Sequence, residues 1–275
     1  MKIKDIRTSL HTTSIEIPLL AGKVAGYGRE EQKLFVVCEV ETDEGVVGYG
    51  LTGHFLAHAV VAALEKHFLP VVRDMDPRDV EAIHQRVAAK LNPRAMTGTV
   101  SMALSCLDIA LWDIRGKTLD QPIYKLLGGE VRDRIALYTH PPRPDTPEQA
   151  AADAREIVDS GHRALKLDPF WEEMAGKSIA YLDGQIAPQT AAKAVEIIAA
   201  VRQAVGPHVE VLIDAHGNFN VPTAIDLARR LEPYHITWFE EPVQPDSIAA
   251  LRQVKESVNI PICVGERLYT RFDFV

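Results

Sequence analysis

From about residue 131 the chain alternates short β-like runs with helical stretches, and this rhythm limits the fold more than any other feature. The β-like runs are Ile135–Thr139, Ala164–Leu167, Val209–Ile213, Thr237–Glu240 and Ile262–Val264. The helical stretches between them are Pro147–Ser160, Gln189–Val205, Pro222–Leu231 and Ser247–Val258. A repeated strand–helix unit predicts a parallel sheet wrapped by helices. Three runs lead to an acid, at Asp214, Glu240 and Glu266, each 26 residues after the last. One unit per interval puts a carboxylate at the C-terminal end of each of three consecutive strands, the face where barrel active sites assemble.

Acids after strands often do no more than complement the dipole of the following helix. Three at one interval ask for a further reason. Converging carboxylates repel one another unless a cation lies among them. Oxygen donors with room left for water and substrate favour Mg²⁺, or Mn²⁺ in its place, over zinc. Further polar residues share this rim. Asp214 and His216 are two apart, as are Lys166 and Asp168, so persisting strand geometry would point each pair to one side. Next to a metal-bound substrate a histidine is a natural general acid or base. A lysine there could hold a substrate carboxylate, act as a base if its pKa were depressed, or simply pair with an acid.

The first 130 residues read differently. Lys2–Ser14 alternates weakly, and Leu34–Val40 and Val46–Leu51 form a hairpin around Asp43-Glu44-Gly45. Helices follow at Ala57–Arg73, Asp79–Leu91 and Gly98–Lys117, the last apolar on more than one face. Strands followed by helices indicate an α+β domain over 1–130, ahead of a β/α barrel domain over 131–275. Asp108 and Asp113 read as polar anchors between the domains, Trp112 and Trp238 as core. Glu16–Lys33 is glycine-rich and reads as a loop, and Trp171–Pro188 as an excursion over the site.

A net charge of −8 argues against a nucleic-acid or membrane surface. Cys38, Cys106 and Cys263 form no CxxC pair and read as reduced thiols. MKIKDIRTSL lacks the apolar stretch of a signal peptide, and the chain reads as cytoplasmic.

Taken together, LDIALWDIRGK (107–117), PIYKLLGG (122–129), LIDAHGNF, WFEEPV and VGERL resemble the enolase superfamily in its mandelate racemase and muconate lactonising branch. The resemblance runs through the whole chain. It implies an N-terminal α+β capping domain, a TIM-like barrel, and one Mg²⁺ held by Asp214, Glu240 and Glu266. The shared step is removal of a proton α to a carboxylate, giving an enediolate that the metal stabilises. Racemases and lactonising enzymes of this branch carry Lys-x-Lys after the second strand, whereas this chain has Lys166 and then Asp168. Asp214-Ala-His216 is instead similar to the Asp-x-His pattern of acid-sugar dehydratases. That likeness makes His216 the acid that helps a 3-hydroxyl leave, with Lys166 handling the substrate carboxylate or acting as base. The expected reaction is dehydration of an aldonate or aldarate to a 2-keto-3-deoxy acid. A racemase, epimerase or cycloisomerase, or a catalytically incomplete homologue, is the alternative.

The resemblance also implies a second histidine, with its aspartate, on a later strand. About five of eight barrel strands can be counted, so the chain reads as part of a longer protein with that base beyond Val275. Tyr27, Arg29 and His54 fall where the family's specificity loops lie. With Asp168 and Asn218 they are candidate contacts for a small hydroxy-carboxylate substrate. Relatives commonly associate, so a homo-oligomer is expected.

Overall fold

The computed structural model describes residues 1–15, 31–53, 55–91, 97–141, 144, 146–170 and 183–274. They form two compact units, the first holding the described residues up to 135 together with 269–274, the second those of 136–268. Each unit has its own apolar core. No helix among the described residues is long and apolar enough to cross a membrane.

In the first unit an antiparallel sheet runs β1 (Ile3–Ile15), β2 (Glu31–Thr42), β3 (Val47–Thr52). The β2–β3 hairpin turns at Gly45, whose φ of 81° suits a residue without a side chain. Helix α1 (Ala57–Ala62) passes through a π-helical turn (Ala63–Phe68) into α2 (Leu69–Val72), and α3 (Val80–Leu91), α4 (Gly98–Leu119) and α5 (Ile123–Leu126) follow. Helix α4 settles directly on β3 because β3 offers glycines there. A Cβ on Gly48 would lie 2.1 Å from the Ala110 carbonyl oxygen, and one on Gly50 1.8 Å from that of Cys106. Val36, Cys38 and Val40 of β2 and Cys106, Leu107 and Leu111 of α4 are buried in this core. All three cysteines are free thiols. Asp108 and Asp113, expected as anchors between the domains, have partners inside this unit. Asp108 meets His84 Nε2 at 2.9 Å, and Asp113 accepts from Lys117 Nζ at 2.6 Å and the Tyr49 amide at 2.9 Å.

The second unit is a four-stranded parallel sheet in chain order: β4 (Ala164–Leu167), β5 (Glu210–Asp214), β6 (Trp238–Glu240) and β7 (Ile262–Cys263). Helices α6 (Pro147–Asp159), α7 (Pro188–Val205), α8 (Val221–Leu231) and α9 (Ile248–Ser257) alternate with the strands. Three begin where the sequence supplies a side-chain acceptor. Thr146 accepts from the Gln149 amide, Asn220 from Thr223 and Ser247 from Ala250. Among the described residues the barrel is incomplete, and the expected strand Ile135–Thr139 does not form. Ile135 and Leu137 are 78% and 73% exposed, and only Thr139 bridges to Leu165. An alternating run becomes a strand only with a partner along its length, and here pairing stops after one residue.

Candidate active site

Strand register builds the site. Asp214, last in β5, pairs with Glu240, last in β6, so their carboxylates leave the sheet at one level. Glu240 in turn pairs with Cys263, not with Glu266. Equal 26-residue intervals therefore do not mean equal height. Glu266 stands three residues past its strand's level, on a turn through Gly265 at φ 148°.

Lys166 is 7% exposed and reaches from β4 to both acids, with Nζ 2.9 Å from Asp214 Oδ2 and 2.8 Å from Glu240 Oε1. Burial alone would drive the ammonium to lose its proton, but the bonds it donates to Glu240 and Asp214 outweigh this and hold Lys166 above its ordinary pKa. For Asp214, burial pushes the carboxyl up, and the contacts with Lys166 and the His216 amide bring it below its ordinary value. The second Glu240 oxygen accepts from the Trp238 indole N–H at 3.0 Å.

His216 meets Asp214 by a route different from the one expected. The strand ends at Asp214, and His216 adopts a left-handed φ of 50°. That turn aims its amide at Asp214 Oδ1 (3.0 Å), with Nδ1 3.2 Å from the same oxygen and Nε2 3.4 Å from Asp168 Oδ2. Held by Asp168 first, and by the charges of Asp214 and Glu266, the imidazole retains its proton above its ordinary pKa although burial opposes this. Asn218 donates to the Ala215 carbonyl at 2.8 Å within the same loop.

Three residues with a part in this geometry escaped the sequence reading. Trp238 was expected as plain core, yet its indole fixes Glu240. Glu241 is 2% exposed, accepts from the Gly265 amide at 3.0 Å, and has its carboxyl raised chiefly by burial. Arg267 donates to Glu266 Oε1 at 3.1 Å and to the His216 carbonyl. One signal for Glu241 was available: period-two alternation turns it away from Glu240 at the end of a buried strand, where an acid needs a partner.

Asp214, His216 and Glu266 each place a donor atom within 4.8 Å of the others. Glu240 stands next to this group with both oxygens already bonded, to Lys166 and Trp238. The carboxylate oxygens of Asp214 and Glu266 are hard donors of the kind that can hold a divalent cation. Lys166, Asp168, Asp214, His216, Glu240 and Glu266 thus come together, while Tyr27, Arg29 and His54 lie outside the described residues.

The family model for the mandelate racemase / muconate lactonizing enzyme N-terminal domain matches residues 10–128, and that for the enolase C-terminal domain-like fold matches 149–275. Similar proteins include a D-gluconate dehydratase of Thermoproteus tenax, 33% identical over 85% of this chain and 46% of its own length. A D-galactarolactone cycloisomerase of Agrobacterium fabrum is 31% identical over 99% of this chain and 67% of its own. An enolase superfamily member from Salmonella Typhimurium superposes with a TM-score of 0.83 at 30% identity, covering 99% of this chain and 69% of that one. The chain thus spans about half to two thirds of the length of these relatives. Both halves match, the sheet carries Asp214 and Glu240 at its strand ends, and the chain belongs to the mandelate racemase/muconate lactonizing enzyme branch of the enolase superfamily.

Proposed function

We propose that this chain acts in the Mg²⁺-dependent dehydration of an acid sugar, an aldonate or aldarate, to its 2-keto-3-deoxy acid. The observation that carries this reading is the imidazole of His216 set between two carboxylates, Asp168 and Asp214. Such a histidine keeps a proton to give, and a departing 3-hydroxyl needs one to leave as water. Asp168 supports the same reading, because it orients that imidazole from a position where a second lysine would serve racemisation. Asp214, Glu240 and Glu266 are the acids that would hold the metal, with His216 beside Asp214 and Glu266. A divalent cation bound there supplies charge neutralisation for a substrate carboxylate whose α-proton is being removed. Lys166 would contribute a second fixed positive charge for that carboxylate.

The test is a panel of aldonates and aldarates with Mg²⁺, read by appearance of 2-keto product. His216→Asn should lower the rate about 10²-fold or more. Exchange of the C2 proton for deuterium without water loss would replace dehydration by racemisation or epimerisation. Ring opening of a lactone would favour the cycloisomerase reading that the Agrobacterium relative suggests.

A further inference from the structure

We propose that Glu241 is a positioning residue that ties together the three loops carrying the acids of this site. It follows Glu240 directly and is buried, yet where Glu240 binds Lys166 its own carboxylate binds the Gly265 amide. Three bonds converge on it. Its amide donates to the Cys263 carbonyl at 2.9 Å, its carbonyl accepts from the Gly217 amide at 2.6 Å, and Oε1 accepts from the Gly265 amide at 3.0 Å. One residue therefore joins the turn after β5, the end of β6 and the turn before Glu266. Its φ of 42° is left-handed, a conformation a non-glycine residue holds only when its surroundings enforce it. Arg267 closes the frame from the other side by donating to Glu266 and to the His216 carbonyl. Gly217 leaves room for it, since a Cβ there would come within 3.2 Å of the Arg267 guanidinium.

Glu266 stands above its own strand's level, so strand pairing alone does not fix its carboxylate. The Gly265 amide is the adjacent backbone group, and Glu241 pins it. Removing that acceptor frees the turn and lets the Glu266 carboxylate drift from Asp214. The effect reaches the metal through geometry, with Glu241 outside the ligand set. This inference rests on the metal reading of the site for its consequence, but its structural part is measurable without metal.

Two measurements on the full chain test it. Hydrogen exchange of the Gly265 amide is followed in metal-free wild type, Glu241→Leu and Glu241→Gln, and Mn²⁺ affinity is followed by electron paramagnetic resonance in the same proteins. Leucine removes the acceptor, so exchange at Gly265 should accelerate about tenfold or more, and Mn²⁺ affinity should fall about 10–100-fold, as for other groups that orient ligands. Glutamine keeps a carbonyl acceptor and should restore both. Unchanged exchange and affinity in Glu241→Leu would overturn the proposal. So would a Glu241→Gln protein that loses protection at Gly265, which also keeps the test decisive if the leucine variant does not fold. Wild type that binds no Mn²⁺ would sink the metal reading, while the exchange result still decides the role of Glu241 in the frame.

Discussion

Asp214 and Glu240 face each other across β5 and β6 and share one cation, the ammonium of Lys166, at 2.9 and 2.8 Å. Removing that ammonium leaves two buried carboxylates, with only the His216 imidazole beside one of them. Lys166→Met should therefore lower unfolding stability in metal-free protein by about 3 kcal/mol, measured by urea denaturation. Added Mg²⁺ should return part of the loss, because it supplies charge to the same acids. A variant as stable as wild type without metal would show that the three groups do not depend on one another.

Asp153 on α6 is buried, and its Oδ2 has no hydrogen-bond partner among the described residues, while Oδ1 accepts from Gln149. Burial raises its pKa in the folded protein. The folded state then holds this proton more tightly than the unfolded one. Its contribution to stability falls as pH rises from the ordinary aspartate range through the raised value, and the penalty is full at neutral pH. Asp153→Asn should raise the melting temperature at pH 7 by about 2–4 °C, corresponding to roughly 1 kcal/mol, and the gain should vanish in acid. A gain that persists at low pH would point away from ionisation.

Gly50 sets how closely α4 approaches β3, since a Cβ there would lie 1.8 Å from the Cys106 carbonyl oxygen. Backbone cannot yield as a flexible side chain can. Gly50→Ala should cost about 3 kcal/mol or more by denaturant unfolding. Gly53→Ala, which meets nothing within 4 Å, serves as the control and should change little.

Trp238 donates its indole N–H to Glu240 and stacks edge-on with Tyr138 at 5.9 Å. Trp238→Phe keeps an aromatic ring and loses the donor. A hydrogen bond to a charged acceptor contributes roughly 1.5–3 kcal/mol, so urea unfolding should show a loss near the lower end of that range. A neutral substitution would mean that solvent replaces the indole.

Much of this was readable in the chain because each signal was local. Apolar runs such as Val211–Ile213 marked buried strands, helical stretches such as Pro222–Leu231 alternated with them, and the acids followed the strands. The remainder depended on partners distant in sequence. Ile135–Thr139 has the alternation of a strand, but alternation does not say whether a neighbour pairs with it. The 26-residue interval could not reveal that Cys263, and not Glu266, is level with Glu240. His216 reaches Asp214 through a left-handed turn that its residue type does not encode. Glu240 and Glu241 are the same residue twice, and only the sheet decides that one faces Lys166 and the other the Gly265 amide.

The most direct test of the site is Mn²⁺ titration followed by electron paramagnetic resonance in wild type and in Asp214→Asn. Asp214 touches Lys166 and His216 and belongs to the cluster with Glu266. The expected result is a single saturable Mn²⁺ site in wild type that is lost in the variant. Wild type without such a site, or a variant that binds Mn²⁺ equally well, would contradict the metal site at these strand ends.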